Sequence, residues 1–416
     1  MIFLSLMSSL MAAPNNPYTF SMEAKLIPLF RSNPDFNSQT DDSTWFTQQN
    51  IRLVAKGEWK GILVKGSFQD ARLWGEESSP VTSSSLRTSL HEGYIQMGAH
   101  DNRSFYIRAG RQEYSMYNGM MMFHRGWNLF NIAFHGIRAH YEQKFASVDA
   151  AVFTLNGAQQ FTTICGMDDP DCTTEDVNSM GDVMFVAHSD FNLSKKLHVQ
   201  PYYLGMHQGP VESDPSRDRN IFSPGLRLEG DLTPALSYVL DHTQQFGTDG
   251  DNGHRAWRAQ ATVNYKWSKY NLQLHYEERS GDGDSADDVI NDFEPFFGAG
   301  HRFRGFADYI GFANVRDLSG RIKASPTPYA SLMVDYHYFQ LSNPNGNWFT
   351  LQGSRGLGSG DDPNLGQEID LTVIFKPYKK TSIKIGHALF IPMGEGVSMS
   401  GEDWSSASYI WLHTKR

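Results

Sequence analysis

The segment FFGAGHRFRGFAD, Phe296 to Asp308, sets His301, Arg302 and Arg304 among four phenylalanines in a chain of formal net charge -10. The chemistry open to these residues is electrostatic. A guanidinium fork suits carboxylates, and glycines at 298, 300 and 305 let the backbone turn sharply around it. Elsewhere basic side chains recur on the polar side of alternating stretches: Lys25, Arg52, Lys65, Arg108, Arg138, Arg227, Arg258, Arg279, Arg321 and Lys323. They are interleaved with Glu23, Glu142, Glu229, Glu277 and Asp335. Such a set forms either a neutral lattice of ion pairs that keeps an interior wet or a path selecting anions, for which arginine rings are a recognised device. The pattern alone leaves both open.

Other chemistries find little support. There is no G-x-S-x-G, no H-E-x-x-H and no phosphate-binding glycine loop. A hydrolase could carry its serine, histidine and acid on separate strands without a local motif, but His91, His124, His135, His140 and His301 are scattered. Asp282, Asp284, Asp287 and Asp288 do not follow the twelve-residue calcium loop, and read as a solvated acidic loop. No metal site and no cofactor is expected. The acidic balance argues against nucleic acid as a partner, yet says little about small anions, which local fields steer.

The elements that must position these groups show period-two alternation. In RAWRAQATVNYKW, Trp257, Ala259, Ala261, Val263, Tyr265 and Trp267 share one face, opposite Arg258, Gln260, Thr262, Asn264 and Lys266. QEIDLTVIFK and GIRAHYE repeat the pattern. The long runs extend to about ten residues, the length that crosses an outer membrane at a tilt, and aromatic residues close their apolar faces. After residue 13 no apolar run reaches membrane-helix length.

About eighteen such spans run from 18-31 to 404-413, enough to leave an aqueous lumen. Long connections (32-43, 73-86, 115-134, 157-180, 209-220, 247-253, 281-310, 341-366 and 391-403) alternate with tight turns near Glu58, Asp101, Ala146, Ser194, Thr233, Ser268, Pro326 and Lys379. Long loops on one side and short turns on the other are an outer-membrane barrel signature. Residues 1-13, apolar and closing on Ala12 and Ala13, read as a signal peptide. Residues 14-416 then form a single barrel domain, and Cys165 and Cys172 are expected to form a structural disulfide in an exported chain.

On these residues the chain resembles the alginate-export family of outer-membrane porins. The carrying segments are FQDARLWGE (Phe68 to Glu76), LHEGYIQM followed by IRAGRQEYS (Leu90 to Ser115), HRGWNLFNIAFHGIRAHYE (His124 to Glu142), and FEPFFGAGHRFRGFADYIGFANVRDLSG (Phe293 to Gly320). GQEIDLTVIFKPYKKTSIKIGHALFIP (Gly366 to Pro392) is similar to the closing strands. The resemblance implies an eighteen-stranded barrel that passes an anionic polyuronate. It also implies an electropositive constriction to which Arg72, Arg111, Arg125, Arg138 and Arg316 contribute, oriented by Glu113, Asp70 and Asp317. His301 and Asp308 match the family's GH and FAD positions, while Arg302 and Arg304 enter on charge and loop position.

The expectation is therefore an all-β transmembrane antiparallel barrel in the outer membrane of a bacterial-type cell. It would pass an anionic saccharide or other small anionic solute by passive diffusion, with outer-membrane lipid around it and any periplasmic export partners unspecified. A general diffusion porin and a non-conducting surface binding barrel are the alternatives.

Overall fold

The computed structural model describes residues 17–75, 85–98, 104–124, 126–157, 159–162, 176–179, 181–211, 214, 217–284, 286–350 and 353–416. Eighteen long strands form one antiparallel barrel: β1 (Tyr18–Ser32), β2 (Thr44–Trp59), β3 (Ile62–Trp74), β4 (Ser85–Gly98), β5 (Phe105–Gln112), β6 (Phe134–Gln143), β7 (Ala146–Asn156), β8 (Asp182–Ser194), β9 (Leu197–Gln208), β10 (Arg219–Asp231), β11 (Leu236–Asp249), β12 (Asn252–Trp267), β13 (Tyr270–Arg279), β14 (Val315–Thr327), β15 (Ala330–Gln340), β16 (Asn364–Tyr378), β17 (Thr381–Pro392) and β18 (Ser405–Lys415). Each pairs with its chain neighbours, and β1 closes the ring on β18 from Glu23↔Lys415 to Ser32↔Ser406. Closure leaves no unpaired edge, the condition for strands to cross lipid.

The period-two pattern becomes an inside and an outside. Along β2, Ile51 and Leu53 face outward while Asn50 and Arg52 are buried inward. Along β12, Val263 and Tyr265 face outward, and Arg258 and Gln260 inward. The outer surface is an apolar band ending in exposed Trp45, Trp59, Trp267, Tyr329 and Tyr378, the aromatic girdle of a transmembrane barrel.

One connection departs from the expected alternation. The 247-253 stretch is no long loop: β11 and β12 run to Asp249↔Asn252 and join through Gly250 and Asp251. Gly250 takes φ 61, which a two-residue turn requires and glycine supplies without steric cost. The proposed signal peptide lies outside the described residues, as do Cys165, Cys172 and Arg125.

Two long connections fold into the barrel. They pair with each other through residues 119–123 and 297–299: Phe123 N–H donates to Phe297 O at 3.0 Å, and Ala299 N–H donates to Gly119 O at 3.0 Å. Beneath them Tyr114, Met116, Met121, Met122 and Phe296 pack on inward residues of β6–β10, among them Phe153, Met184 and Leu204. Tyr309 and Ile310 pack with Phe339, Trp348 and Phe390 on the opposite wall. The loops are thus held by two hydrophobic clusters on opposite walls.

Candidate functional site

The inserted segment 296–308 is positioned by a few specific contacts. Arg304 enters the wall, 1% exposed, with its guanidinium 4.5 Å above the Phe312 ring and its Nε 3.8 Å from Glu277 Oε2. Glu277 already accepts Nε–H bonds from Arg258 and Arg279, each at 2.8 Å. Burial pushes Arg304 below its ordinary range, and the Glu277 and Asp317 charges act against that shift. Next to it, Gly305 takes φ 79 where an added Cβ would lie 2.2 Å from Glu368 Oε1, and Ala307 N–H donates to the same oxygen at 2.8 Å. Only glycine fits that approach. Arg304 is therefore a buried clamp, which corrects its expected place on the pore surface.

His301, Arg302 and Asp308 do face open space. His301 stacks on Trp127 with ring centroids 3.8 Å apart and places Nδ1 3.0 Å from Asp308 Oδ1. Together with β1, β2 and β14–β18 they line a vestibule of about 740 Å3. Its cations are Lys25, Arg52, Arg302, Arg321, Lys323 and Lys384; its carboxylates are Glu23 and Asp308. Lys25 Nζ donates to Gly126 O at 3.1 Å and also to Asn128 O, tethering the loop. Arg52 donates to Glu113 Oε1 at 2.9 Å. Burial raises the Glu113 carboxyl, but contact with His91 and the Arg52 charge outweigh it and hold it at about 2. Among the described residues Arg302, Lys323 and Lys384 form no ion pair. Burial, and then the neighbouring Arg321 charge, push Arg302 below its ordinary range, as expected where positive charge is not neutralised. Trp127, Phe306, Tyr409 and Trp411 complete the wall, with Lys384 Nζ 3.9 Å from the Trp411 ring centroid.

Arg138 faces the lumen from β6, donating to Asp149 Oδ2 through Nε at 2.8 Å and Nη2 at 2.6 Å. It belongs to a stripe in which cations alternate with tyrosines: Arg108 lies 4.3 Å from the Tyr94 ring, and Arg138 lies 5.0 Å from that of Tyr114. Three motif arginines lie elsewhere, and strand parity is the reason. Arg72 shares its face with outward Val64, Phe68 and Trp74 and donates to Asp70 Oδ2 at 2.8 Å. Arg111 shares the outward face of Ile107, with Nη1 2.8 Å from His135 Nε2. Arg316 shares that of Leu318 and donates to Glu278 Oε1 at 2.7 Å. These are corrections: Arg72, Arg111 and Arg316 sit on the outer wall, whereas all ten cations read from alternation sit on inward positions. Asp317 faces inward and contacts His337 Nδ1 at 3.1 Å. Neither the alternation nor the resemblance marks Lys384, Trp127 or Trp411 as pore-lining, although Lys384 between Ile383 and Ile385 carries the same alternation signal.

A family model described as Alginate export matches residues 16–408. The chain belongs to the alginate export family. No curated protein matches it. Among solved structures, this alginate-export family member is similar to OccK11 (OpdR) of Pseudomonas aeruginosa at 12% identity, covering 96% of this chain and 95% of that one, with a TM-score of 0.60. The outer membrane proteins opdK and OprD, also of Pseudomonas aeruginosa, each align at 10% identity and a TM-score of 0.61. They cover 96% of this chain and 99% and 93% of their own, respectively. At such identities the likeness establishes the barrel fold alone. Family and fold together make this protein a channel-type β-barrel of the bacterial outer membrane.

Proposed function

We propose that this barrel is a passive channel for anionic solutes, with an acidic saccharide as its cargo. One observation carries the reading: the vestibule holds Arg302, Lys323 and Lys384 without ion-pair partners among the described residues, beside the aromatic faces of Trp127, Phe306 and Trp411. The cations draw a carboxylate in, and the aromatic faces offer an apolar platform for the ring that bears it. Glu23 and Asp308 keep the attraction weak enough for release. The gradient supplies the driving force, so the proposed transport requires no cofactor.

The test is a planar-bilayer recording of the purified protein under a salt gradient, repeated with an oligouronate added. The expected outcome is a reversal potential on the anion side and block by the oligomer. Conductance with neither would leave a general porin. The second reading, a non-conducting binding barrel, draws on the two hydrophobic clusters that hold the inserted loops, and absence of conductance would select it.

A further inference from the structure

The tight turns at the end of the barrel opposite the long loops carry a charge pattern that the vestibule does not use. Seven of them lie among the described residues: 60–61, 144–145, 195–196, 232–235, 268–269, 328–329 and 379–380. Five of the seven hold lysine, as Lys60, Lys144, the pair Lys195 and Lys196, Lys269, and the pair Lys379 and Lys380. Every one of these lysines is exposed, and no described turn holds an aspartate or glutamate. Among the described residues none of them forms an ion pair. The long connections reverse the sign. Residues 33–43 carry Asp35, Asp41 and Asp42, residues 280–292 carry five aspartates, and neither stretch has a lysine or arginine.

Each lysine-bearing turn also has an exposed apolar side chain in it or next to it: Trp59, Phe145, Leu193, Trp267 and Tyr378, in chain order. Trp59 shares the outward face of Ile51 and Leu53 on β2, and Trp267 that of Val263 and Tyr265 on β12. Two of the lysines are placed on the same outward side by their contacts. Lys60 Nζ lies 4.9 Å from the Trp59 ring centroid. Lys269 Nζ lies 5.5 Å from the centroid of Tyr270, whose ring stacks on Trp267 at 5.8 Å. Aromatic side chains at the rim of a membrane barrel mark the level of the lipid headgroups. An ammonium resting on such a ring meets headgroup phosphates rather than the pore axis.

The distribution of the lysines selects their partner. Their turns join β2 to β3, β6 to β7, β8 to β9, β12 to β13 and β16 to β17, so that around the closed ring successive ones are no more than four strands apart. A protein docking on one side would be met by cations gathered on that side, and a polyanion in the mouth by cations turned to the axis. Cations spaced around the outside suit an annulus of lipid. We propose that this rim, whose short turns face the periplasm, binds anionic glycerophospholipids of the inner leaflet of the outer membrane. Each lysine-bearing turn holds a headgroup phosphate while its apolar neighbour packs against the chains below. Phosphatidylglycerol fits better than a zwitterionic lipid, which brings its own cation to the same phosphate. The inference is independent of what the pore conducts.

Native mass spectrometry of the detergent-purified full chain tests it, after incubation with equimolar dioleoyl phosphatidylglycerol and dioleoyl phosphatidylcholine. The two lipids share their acyl chains and differ in headgroup. The chain should retain phosphatidylglycerol over phosphatidylcholine by at least about threefold. Changing all the turn lysines to glutamine should bring the ratio close to one, and Lys60→Gln with Lys269→Gln should give an intermediate value. Lys323→Gln with Lys384→Gln, inside the barrel, should leave the ratio where it was. Equal retention of the two lipids by the unaltered chain overturns the proposal, as does a ratio that survives removal of the turn lysines. A ratio that collapses in the Lys323→Gln, Lys384→Gln variant overturns it too, because the lipid is then held in the vestibule. Displacement of the bound phosphatidylglycerol by an oligouronate would assign the lysines to the pore mouth and likewise sink it. If the chain lacking all the turn lysines does not assemble, the Lys60→Gln, Lys269→Gln variant decides.

Discussion

Glu277 is where single-residue chemistry holds most of the architecture. Its carboxylate accepts from Arg258 and Arg279 and faces Arg304 from the inserted loop, with all four side chains shut away from solvent. Asp241 Oδ2, 3.3 Å from Arg258 Nη1, is the nearest further counter-charge. Removing one partner from a buried ion cluster leaves the others uncompensated, typically at a cost of about 3–5 kcal/mol. Glu277→Gln should therefore lower the temperature at which the folded band converts to the unfolded band in heat-modifiability gels. It should also raise protease sensitivity within 296–308, because Arg304 is that segment's clamp. An unchanged conversion temperature would show that the three guanidiniums are hydrated rather than held by the carboxylate.

At the scale of elements, the loop 280–314 carries its own pH dependence. Burial pushes the Asp292 carboxyl up to about 6; the Asp282 N–H bonded to it acts against this, and the Asp282 charge adds to it. A carboxyl raised in the folded state stabilises most below its unfolded value near 3.8 and loses that contribution as pH rises through about 6. Amide exchange in residues 281–292 should accordingly gain protection on acidification from pH 7 to pH 4.5, beyond the intrinsic rate change, by roughly 1–2 kcal/mol of local opening free energy. Asp292→Asn should flatten that dependence. The strands themselves were legible because a two-residue period survives any context: each of the eighteen spans lies within a few residues of its strand. The same parity, applied to Arg72 beside Phe68 or Arg316 beside Leu318, assigns both to the outer wall, against what the motif resemblance implies. The loops were less legible. No local pattern announces that residues 119–123 will pair with 297–299, since that pairing depends on two connections meeting inside a closed barrel.

For the whole molecule, the sign of the total charge and the sign of the path differ. The chain carries formal net charge -10, while six cations against two carboxylates line the vestibule. What acts on a solute is the local field, focused by the low-dielectric wall, so the outer and inner arginines can be told apart by their effect on conduction. Lys323→Gln and Lys384→Gln, singly and together, should move the reversal potential toward zero, and the double variant should move it further because the two changes remove charge from one cavity. Arg316→Gln, which alters an outward ion pair, should leave it where it was. Raising the salt should shrink all these differences, since the screening length falls from about 10 Å at 0.1 M to about 3 Å at 1 M. If Arg316→Gln shifted selectivity as much as Lys384→Gln, ion preference would be set at the mouth by summed surface charge, and the vestibule would not be the selecting element.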